Sequence, residues 1–141
     1  LKKKKNKNTS KFLKKNLLKP TKIYVNELIT INKKKLINGC ANITGGGLIN
    51  NTLRVIPDKL CLNINLSKIK TTHIFKWLKK NNINDSEMLN TFNCGVGFCL
   101  ITSRKKINSI KKHFSKNYQP YEIGFVTKEK SKIKIFGKLQ W

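Results

Sequence analysis

Three consecutive glycines, Gly45, Gly46 and Gly47, sit between an apolar approach (Cys40, Ala41, Ile43) and a helix-like run from Leu48 to Arg54. Glycine reaches backbone angles that other residues avoid, and it lets a ligand lie against the main chain. A strand, a glycine turn and a helix start would aim unsatisfied N–H groups at one point, which suits an anion, most often a phosphate. If Gly47 opens the helix, Asn51 and Arg54 follow at helical spacing and share a face with the loop. Arg54 is one of two arginines among 31 basic residues. Its planar fork binds phosphate or carboxylate in two-point fashion, which lysine does not. The competing reading is a tight turn whose glycines serve packing, beside a surface arginine.

Other reactive side chains form no comparable group. His73 and His113 are the only histidines, and neither has a carboxylate close in sequence; both read as surface or boundary residues. No serine stands in a G-x-S-x-G setting. No cluster of Asp or Glu would hold magnesium or run two-carboxylate chemistry, and Asp58, after Pro57, reads as a turn residue. Cys40, Cys61, Cys94 and Cys99 include no C-x-x-C pair. Each falls in an apolar stretch, where free cysteine acts as a small buried hydrophobe. This pattern fits a reducing cytoplasmic compartment. Asn93-Cys94-Gly95 reads as a turn, with Asn93 as the residue that tolerates a left-handed conformation. The residues therefore offer a binding loop, with no assigned catalytic residue and no metal site.

The elements that must position this loop read as follows. Lys2 to Asn8 is a solvated, self-repelling stretch, dispensable for folding. A short helix from about Ser10 ends at Pro20. Asn26 caps a second helix to about Lys35, with Leu28, Ile29 and Ile31 inward. Leu36 to Ile43 is a strand into the glycine loop, and Gly47 to Arg54 is a short helix stopped before Pro57. Leu60 to Leu66 alternates as a strand, and His73 to Asn81 is a helix with Ile74, Trp77 and Leu78 on one stripe. Asp85 or Ser86 opens a helix to about Thr91, and Val96 to Ile101 is a strand. Arg104 to Lys116 is an amphipathic helix with Ile107, Ile110 and Phe114 on its apolar face. Tyr121 to Thr127 and Lys132 to Phe136 are strands joined by the Lys128–Ser131 turn. The alternation predicts an α/β (α+β) layered domain with one mixed β-sheet packed by helices, the glycine turn lying at a cleft edge.

The formal charge is +25, from 31 basic and 6 acidic residues. Alone, that predicts a polyanionic partner. However, the basic residues are nearly all lysine, and asparagine and isoleucine are also abundant, as A/T-rich codons would produce. The aromatics do not interleave with the basic residues as a stacking platform requires, so nucleic acid is disfavoured. No apolar run approaches the roughly 20 residues of a membrane span.

Several stretches, in order, resemble the AIR synthetase family, the phosphoribosylformylglycinamidine cyclo-ligases of purine synthesis. Asn42-Ile43-Thr44-Gly45-Gly46-Gly47-Leu48-Ile49-Asn50-Asn51 followed by Arg54-Val55-Ile56-Pro57-Asp58 resembles A-H-I-T-G-G-G-L-x-E-N-x-x-R-V-L-P-D. Pro20-Thr21-Lys22-Ile23-Tyr24-Val25 resembles P-T-R-I-Y-V, and Phe75-Lys76-Trp77-Leu78 resembles F-x-W-L. The run from Glu87 to Gly97 resembles E-M-Y-R-T-F-N-C-G-I-G, and Ile123-Gly124 falls at the family's late I-G. The likeness extends from Pro20 to about Ile135. Thiamine-monophosphate kinase, selenophosphate synthetase and formylglycinamidine ribonucleotide synthetase share the two-domain plan, but the ordered set favours the cyclo-ligase.

The resemblance implies a C-terminal domain over residues 20–141, with residues 1–19 a lysine-rich lead-in from the inter-domain region. The chain begins at Leu1, just after the family's S-N-G-x-S-L-V-R-K segment, so an N-terminal ATP-binding domain is expected upstream. The implied reaction is ATP-dependent ring closure of formylglycinamidine ribonucleotide to aminoimidazole ribonucleotide. ATP and Mg2+ would be held mainly by the N-terminal domain, and the full-length protein is expected to be a cytoplasmic homodimer. The ribonucleotide substrate would meet Asn42, Thr44, Gly45, Gly46, Gly47, Asn51 and Arg54, and the Asn93–Gly95 turn is a further candidate lining of the cleft. Three positions depart from the family pattern: Asn42 replaces histidine, Asn50 replaces glutamate and Leu89 replaces tyrosine. Asparagine at 42 hydrogen bonds but does not exchange a proton near neutral pH.

Overall fold

The structure is a computed structural model that describes residues 7–141. The expected loop over Lys2 to Asn8 lies outside it as far as Asn6. Lys7 and Asn8 belong to the first helix, α1 (Lys7–Leu17), which starts earlier than Ser10. Then follow α2 (Val25–Lys33), β1 (Gly39–Asn42), α3 (Gly47–Leu53), β2 (Cys61–Asn65), α4 (His73–Lys79), α5 (Asp85–Thr91), β3 (Phe98–Ile101), α6 (Ile107–Lys111), β4 (Gly124–Thr127) and β5 (Ile133–Phe136). Helices on antiparallel and mixed sheets make the fold α+β, as expected.

The expected single mixed sheet is corrected to two. β1 and β3 form an antiparallel ribbon, Gly39 opposite Ile101 and Asn42 opposite Phe98. The second sheet has the order β4-β2-β5, with β4 antiparallel and β5 parallel to β2. Among the described residues no strand joins β3 to β4, and a cavity of about 770 Å3 lies between them. β4 and β5 are likewise not the hairpin their short connection predicts; β2 lies between them. The reason is burial. Cys61, Leu62, Asn63 and Ile64 are all buried, so β2 has two covered faces and takes the centre of its sheet. The connection steps over the end of β2, a distance of about 10 Å that five residues span easily.

Three helix boundaries also moved. α2 starts at Val25, and Tyr24, not Asn26, occupies its cap position without a side-chain bond. Ile31 is fully buried, but Ile29 is 49% exposed and so does not face inward. The long helix expected over Arg104 to Lys116 is a 3-10 turn (Arg104–Lys106) followed by the five-residue α6. Gln119 donates to the carbonyls of Lys111 and Phe114, which closes the helix there. Ile110 and Phe114 nevertheless bury with Ile31, as their spacing predicted.

The larger core joins Ala41, Ile43, Leu48, Leu62, Ile64, Met88, Leu89 and Val96. It fixes α5 behind α3. α5 is capped by Asn84, whose Oδ1 accepts from the Glu87 N–H at 2.8 Å. Asp85 in its first turn pairs with Lys79 at 2.6 Å and accepts from the Trp141 indole at 3.0 Å. The hydrogen bond from Lys79 holds the Asp85 carboxyl below the usual carboxylate range. The chain end is thereby tied to the helix that backs the glycine loop.

Candidate functional site

β1 runs out at Asn42, and the Ile43 N–H donates to the Gly97 carbonyl at 3.1 Å, so the ladder with the β3 side extends to the loop. The chain then turns through Thr44, Gly45 and Gly46 into α3. Gly46 is left-handed, at φ +92°, and Gly47 has φ +66°. Both angles favour glycine. The strand-to-helix turn read from the sequence is present. One of its expected free donors is spent, because the Gly47 N–H bonds the Thr44 carbonyl at 3.1 Å. The N–H groups of Gly45 and Gly46 make no hydrogen bond among the described residues.

Asn51 is the keystone of the loop. Its side chain is buried, and Nδ2 donates to the carbonyls of Thr44 (3.3 Å), Gly45 (3.1 Å) and Gly47 (2.7 Å). Its Oδ1 accepts from Arg54 Nη1 at 3.2 Å. Asn51, expected from the sequence beside the ligand, has both ends of its amide engaged within the chain, holding the turn on one side and Arg54 on the other. Arg54 itself is exposed, with Nη2 3.9 Å from where a Cβ on Gly46 would lie. The structure thus brings Gly46, Asn51 and Arg54 together, as the helical spacing predicted. Asn51→Asp should destabilise the chain by about 1–3 kcal/mol, because a carboxylate only accepts, so the side-chain donor to the Thr44, Gly45 and Gly47 carbonyls is lost. Urea unfolding followed by circular dichroism checks this; an unmoved midpoint refutes the keystone role.

Asn42 and Thr44 are exposed beside the loop, Asn42 opposite Phe98 in the ladder. The wall behind Gly47 was not legible in the sequence. A Cβ there would lie 2.0 Å from the Leu89 carbonyl oxygen, so α5 touches the loop through backbone. The side chain at Leu89 turns inward and is buried.

The Asn93–Gly95 turn differs in detail from its reading. Cys94, not Asn93, is left-handed, at φ +50°. Asn93 Oδ1 instead accepts from the Gly95 N–H at 3.0 Å. Cys94 and Cys99 are buried, and burial pushes both thiols up to about 11, so neither is a ready nucleophile at neutral pH. Gly95 lines the cavity between the two sheets, together with Val96, Gly97 and β3.

Neither that cavity nor a second one of about 590 Å3, between α1, α4 and Trp141, is lined by the glycine loop. Gly45 and Arg54 are exposed and lie outside both of these cavities. An anion there would meet two backbone N–H groups and a guanidinium, with no general acid or base beside it. Among the described residues no three His, Cys, Asp or Glu side chains gather to hold a metal. No helix among them is long and apolar enough to cross a membrane.

Comparison with known proteins places this geometry. The family model described as "AIR synthase related protein, C-terminal domain" matches residues 1–136. The chain is 41% identical over 116 residues to the phosphoribosylformylglycinamidine cyclo-ligase of Ligilactobacillus salivarius, covering 81% of this chain and 34% of that protein. It is 40% identical over 126 residues to the enzyme of that name from Streptococcus pneumoniae, with 89% of this chain and 36% of that protein covered. A bifunctional purine biosynthetic protein of Dictyostelium discoideum is 41% identical over 136 residues, covering 92% of this chain and 17% of that protein. The chain spans about a third of the length of the cyclo-ligases it matches. Its glycine turn, its Asn51 clamp and the α5 wall are thus those of a chain that belongs to the AIR synthase related protein C-terminal domain family.

Proposed function

We propose that this chain is the C-terminal part of a phosphoribosylformylglycinamidine cyclo-ligase, and that it holds the ribonucleotide substrate. The observation that carries the reading is the Gly45–Gly47 turn with the Arg54 guanidinium fixed over it by Asn51. A phosphate or phosphorylated oxygen fits there, between backbone N–H groups and a planar fork. Asn42 and Thr44 flank it with neutral hydrogen-bonding side chains. In the ring closure, the amide oxygen of formylglycinamidine ribonucleotide takes the terminal phosphoryl group of ATP, and ADP leaves. A substrate nitrogen then attacks that carbon, the C–O bond breaks and inorganic phosphate departs with the loss of a proton. This chain's residues bind and orient; ATP and magnesium are assigned to the rest of a longer, dimeric protein, and no step routes through a metal held here. Nucleic acid is the weaker reading, because the aromatic residues do not interleave with the basic ones as a stacking platform requires.

The test supplies formylglycinamidine ribonucleotide, ATP and magnesium to a longer protein that carries this chain, and to the 141 residues alone. The longer protein should form aminoimidazole ribonucleotide and ADP in equal amounts, and the 141 residues should form neither. A longer protein without turnover refutes the reading. Turnover by the 141 residues alone overturns the division of labour.

A further inference from the structure

The cavity of about 590 Å3 between α1, α4 and Trp141 is separate from the glycine loop, and the ring closure does not use it. α4 has two faces with different partners. Phe75 and Leu78 pack on the large core. His73, Lys76, Trp77 and Lys80 line the cavity. Their spacing puts them on one stripe of the helix and its C-cap, since residues three, four and seven apart share a face. A helix face turned from the core is ordinarily polar. This one carries a tryptophan, which shares the cavity with Phe12 of α1 and with Trp141. Both tryptophans of the chain therefore border one space. Trp141 is fixed there. Its indole N–H donates to Asp85 Oδ1 at 3.0 Å, and the Lys79 ammonium pairs with the same oxygen at 2.6 Å while lying 5.9 Å from the Trp141 ring.

Charge in the cavity is one-sided. Among the described residues Asp85 is the only carboxylate that bonds a residue lining it, and Asp85 is committed to Lys79 and Trp141. No carboxylate among them pairs with Lys76 or Lys80. These two lysines stand four residues apart on one helix, where like charges repel. Two uncompensated ammonium groups beside three aromatic side chains suit a ligand that is both flat and anionic. A flat ring stacks on aromatic faces. A phosphate monoester carries about two negative charges at neutral pH, which matches the two lysines. An apolar ligand would leave the cations unmatched, and inorganic phosphate would leave the rings bare. The volume lies in the range of small-molecule sites, roughly 300–1,000 Å3. Thr9 is the only uncharged hydroxyl or amide side chain in the lining. A base is therefore held by its face rather than read at its edge, so adenine and guanine are both accepted.

We infer that this cavity is a second nucleotide site, which takes a purine nucleoside monophosphate with its base against Trp77 and Trp141 and its phosphate at Lys76 and Lys80. It binds, and no bond forms or breaks in it. One helix face and one fixed indole make a pocket for a single base, not a platform along which a strand stacks. The inference does not depend on the catalytic reading, because no residue of the glycine loop lines the cavity.

Trp77 and Trp141 are the only tryptophans, so indole fluorescence and the two indole N–H resonances of the 141-residue chain report this cavity alone. The same resonances, assigned through Trp77→Phe and Trp141→Phe, are read in a longer protein that carries the chain. In both, AMP and GMP should shift the two resonances saturably, with adenosine and inorganic phosphate each binding about tenfold or more weakly. Joint Lys76→Ala and Lys80→Ala substitution should weaken AMP about tenfold or more and leave adenosine unchanged. Neither lysine belongs to a core cluster, so circular dichroism should show the fold retained; if it does not, Lys80→Gln alone, at the exposed cap position, should change AMP in the same direction. Trp77→Leu should weaken adenosine and AMP together, read at Trp141. Inorganic phosphate that matches AMP means general surface charge and overturns the inference. Shifts abolished by Arg54→Ala place the nucleotide at the glycine loop, and overturn it too. Shifts present in the 141 residues and absent from the longer protein mean that other polypeptide fills the cavity, with the same consequence. An oligoadenylate that binds about 100-fold or more tighter than AMP makes the cavity one stop on a nucleic-acid path, and no saturable change at millimolar AMP leaves it without a nucleotide; either result refutes the assignment.

Discussion

Gly47→Ala should lower the stability of this chain by about 2–5 kcal/mol, the sum of a left-handed backbone cost of about 1–2 and an overpacking cost of about 1–3. A Cβ at this position would lie 2.0 Å from the Leu89 carbonyl oxygen and 2.8 Å from the Asn90 carbonyl carbon. Neither neighbour is a flexible side chain that gives way. Either α5 withdraws from α3, opening the core at Leu48 and Leu89, or α3 tilts and the loop loses its shape. For a domain of ordinary stability, that is a large share of the whole, worth about 10 °C or more in the melting midpoint. Gly45→Ala is the matched control. Gly45 has no atom within 4 Å of a built Cβ and no positive φ, so its midpoint should move by no more than about 0.5 kcal/mol. Thermal melts of the two variants decide it. Equal losses would mean that the triplet is a generic flexible turn; a loss confined to Gly47 identifies the loop as a close backbone-on-backbone contact with α5.

Arg54→Ala, made in the longer protein, should weaken the ribonucleotide substrate about ten- to hundredfold and leave ATP nearly unaffected. One charge-assisted hydrogen-bonding contact is worth about 1.5–3 kcal/mol, which corresponds to that range. Arg54 is exposed and bonds only Asn51 among the described residues, so the melting midpoint should fall by less than about 1 kcal/mol equivalent. That separates a binding defect from an unfolding one. Arg54→Lys should recover part of the affinity, because it keeps the charge and loses the fork. The chain carries 31 basic residues, so long-range attraction needs its own control. Lys112, exposed at the end of α6, which packs in the small core while α3 packs in the large one, should have little effect as Lys112→Ala at moderate salt, where screening acts within about 10 Å. Steady-state kinetics for both substrates provides the measurement. Similar behaviour of Arg54→Ala and Lys112→Ala would make Arg54 one surface charge among many and remove the loop's charged partner.

Local patterns carried much of this protein. Gly45 to Gly47 announced a strand-to-helix turn because glycine takes the left-handed angles found at Gly46 and Gly47 most readily. The spacing of Asn51 and Arg54 placed them on the loop's side of α3 because a helix repeats every 3.6 residues or so. Ile31, Ile110 and Phe114 read as inward-facing and are buried. The ordered likeness from Pro20 onward named the family. All of these follow from residue type and short-range periodicity.

What only the tertiary structure decided depends on neighbours distant in sequence. Asn51 read as a ligand contact, and its three bonds to loop carbonyls appear only once the turn has closed around it. Gly47 is obligatory because of Leu89 and Asn90, some forty residues away. β4 and β5 looked like a hairpin because their connection is short, yet β2 separates them, since a strand buried on both faces must be central. The division into two sheets was likewise invisible, because strand order is set by which edges find partners. Sequence periodicity tells a residue which way it faces along its own element. It carries no term for the carbonyl or strand edge that arrives from elsewhere in the chain.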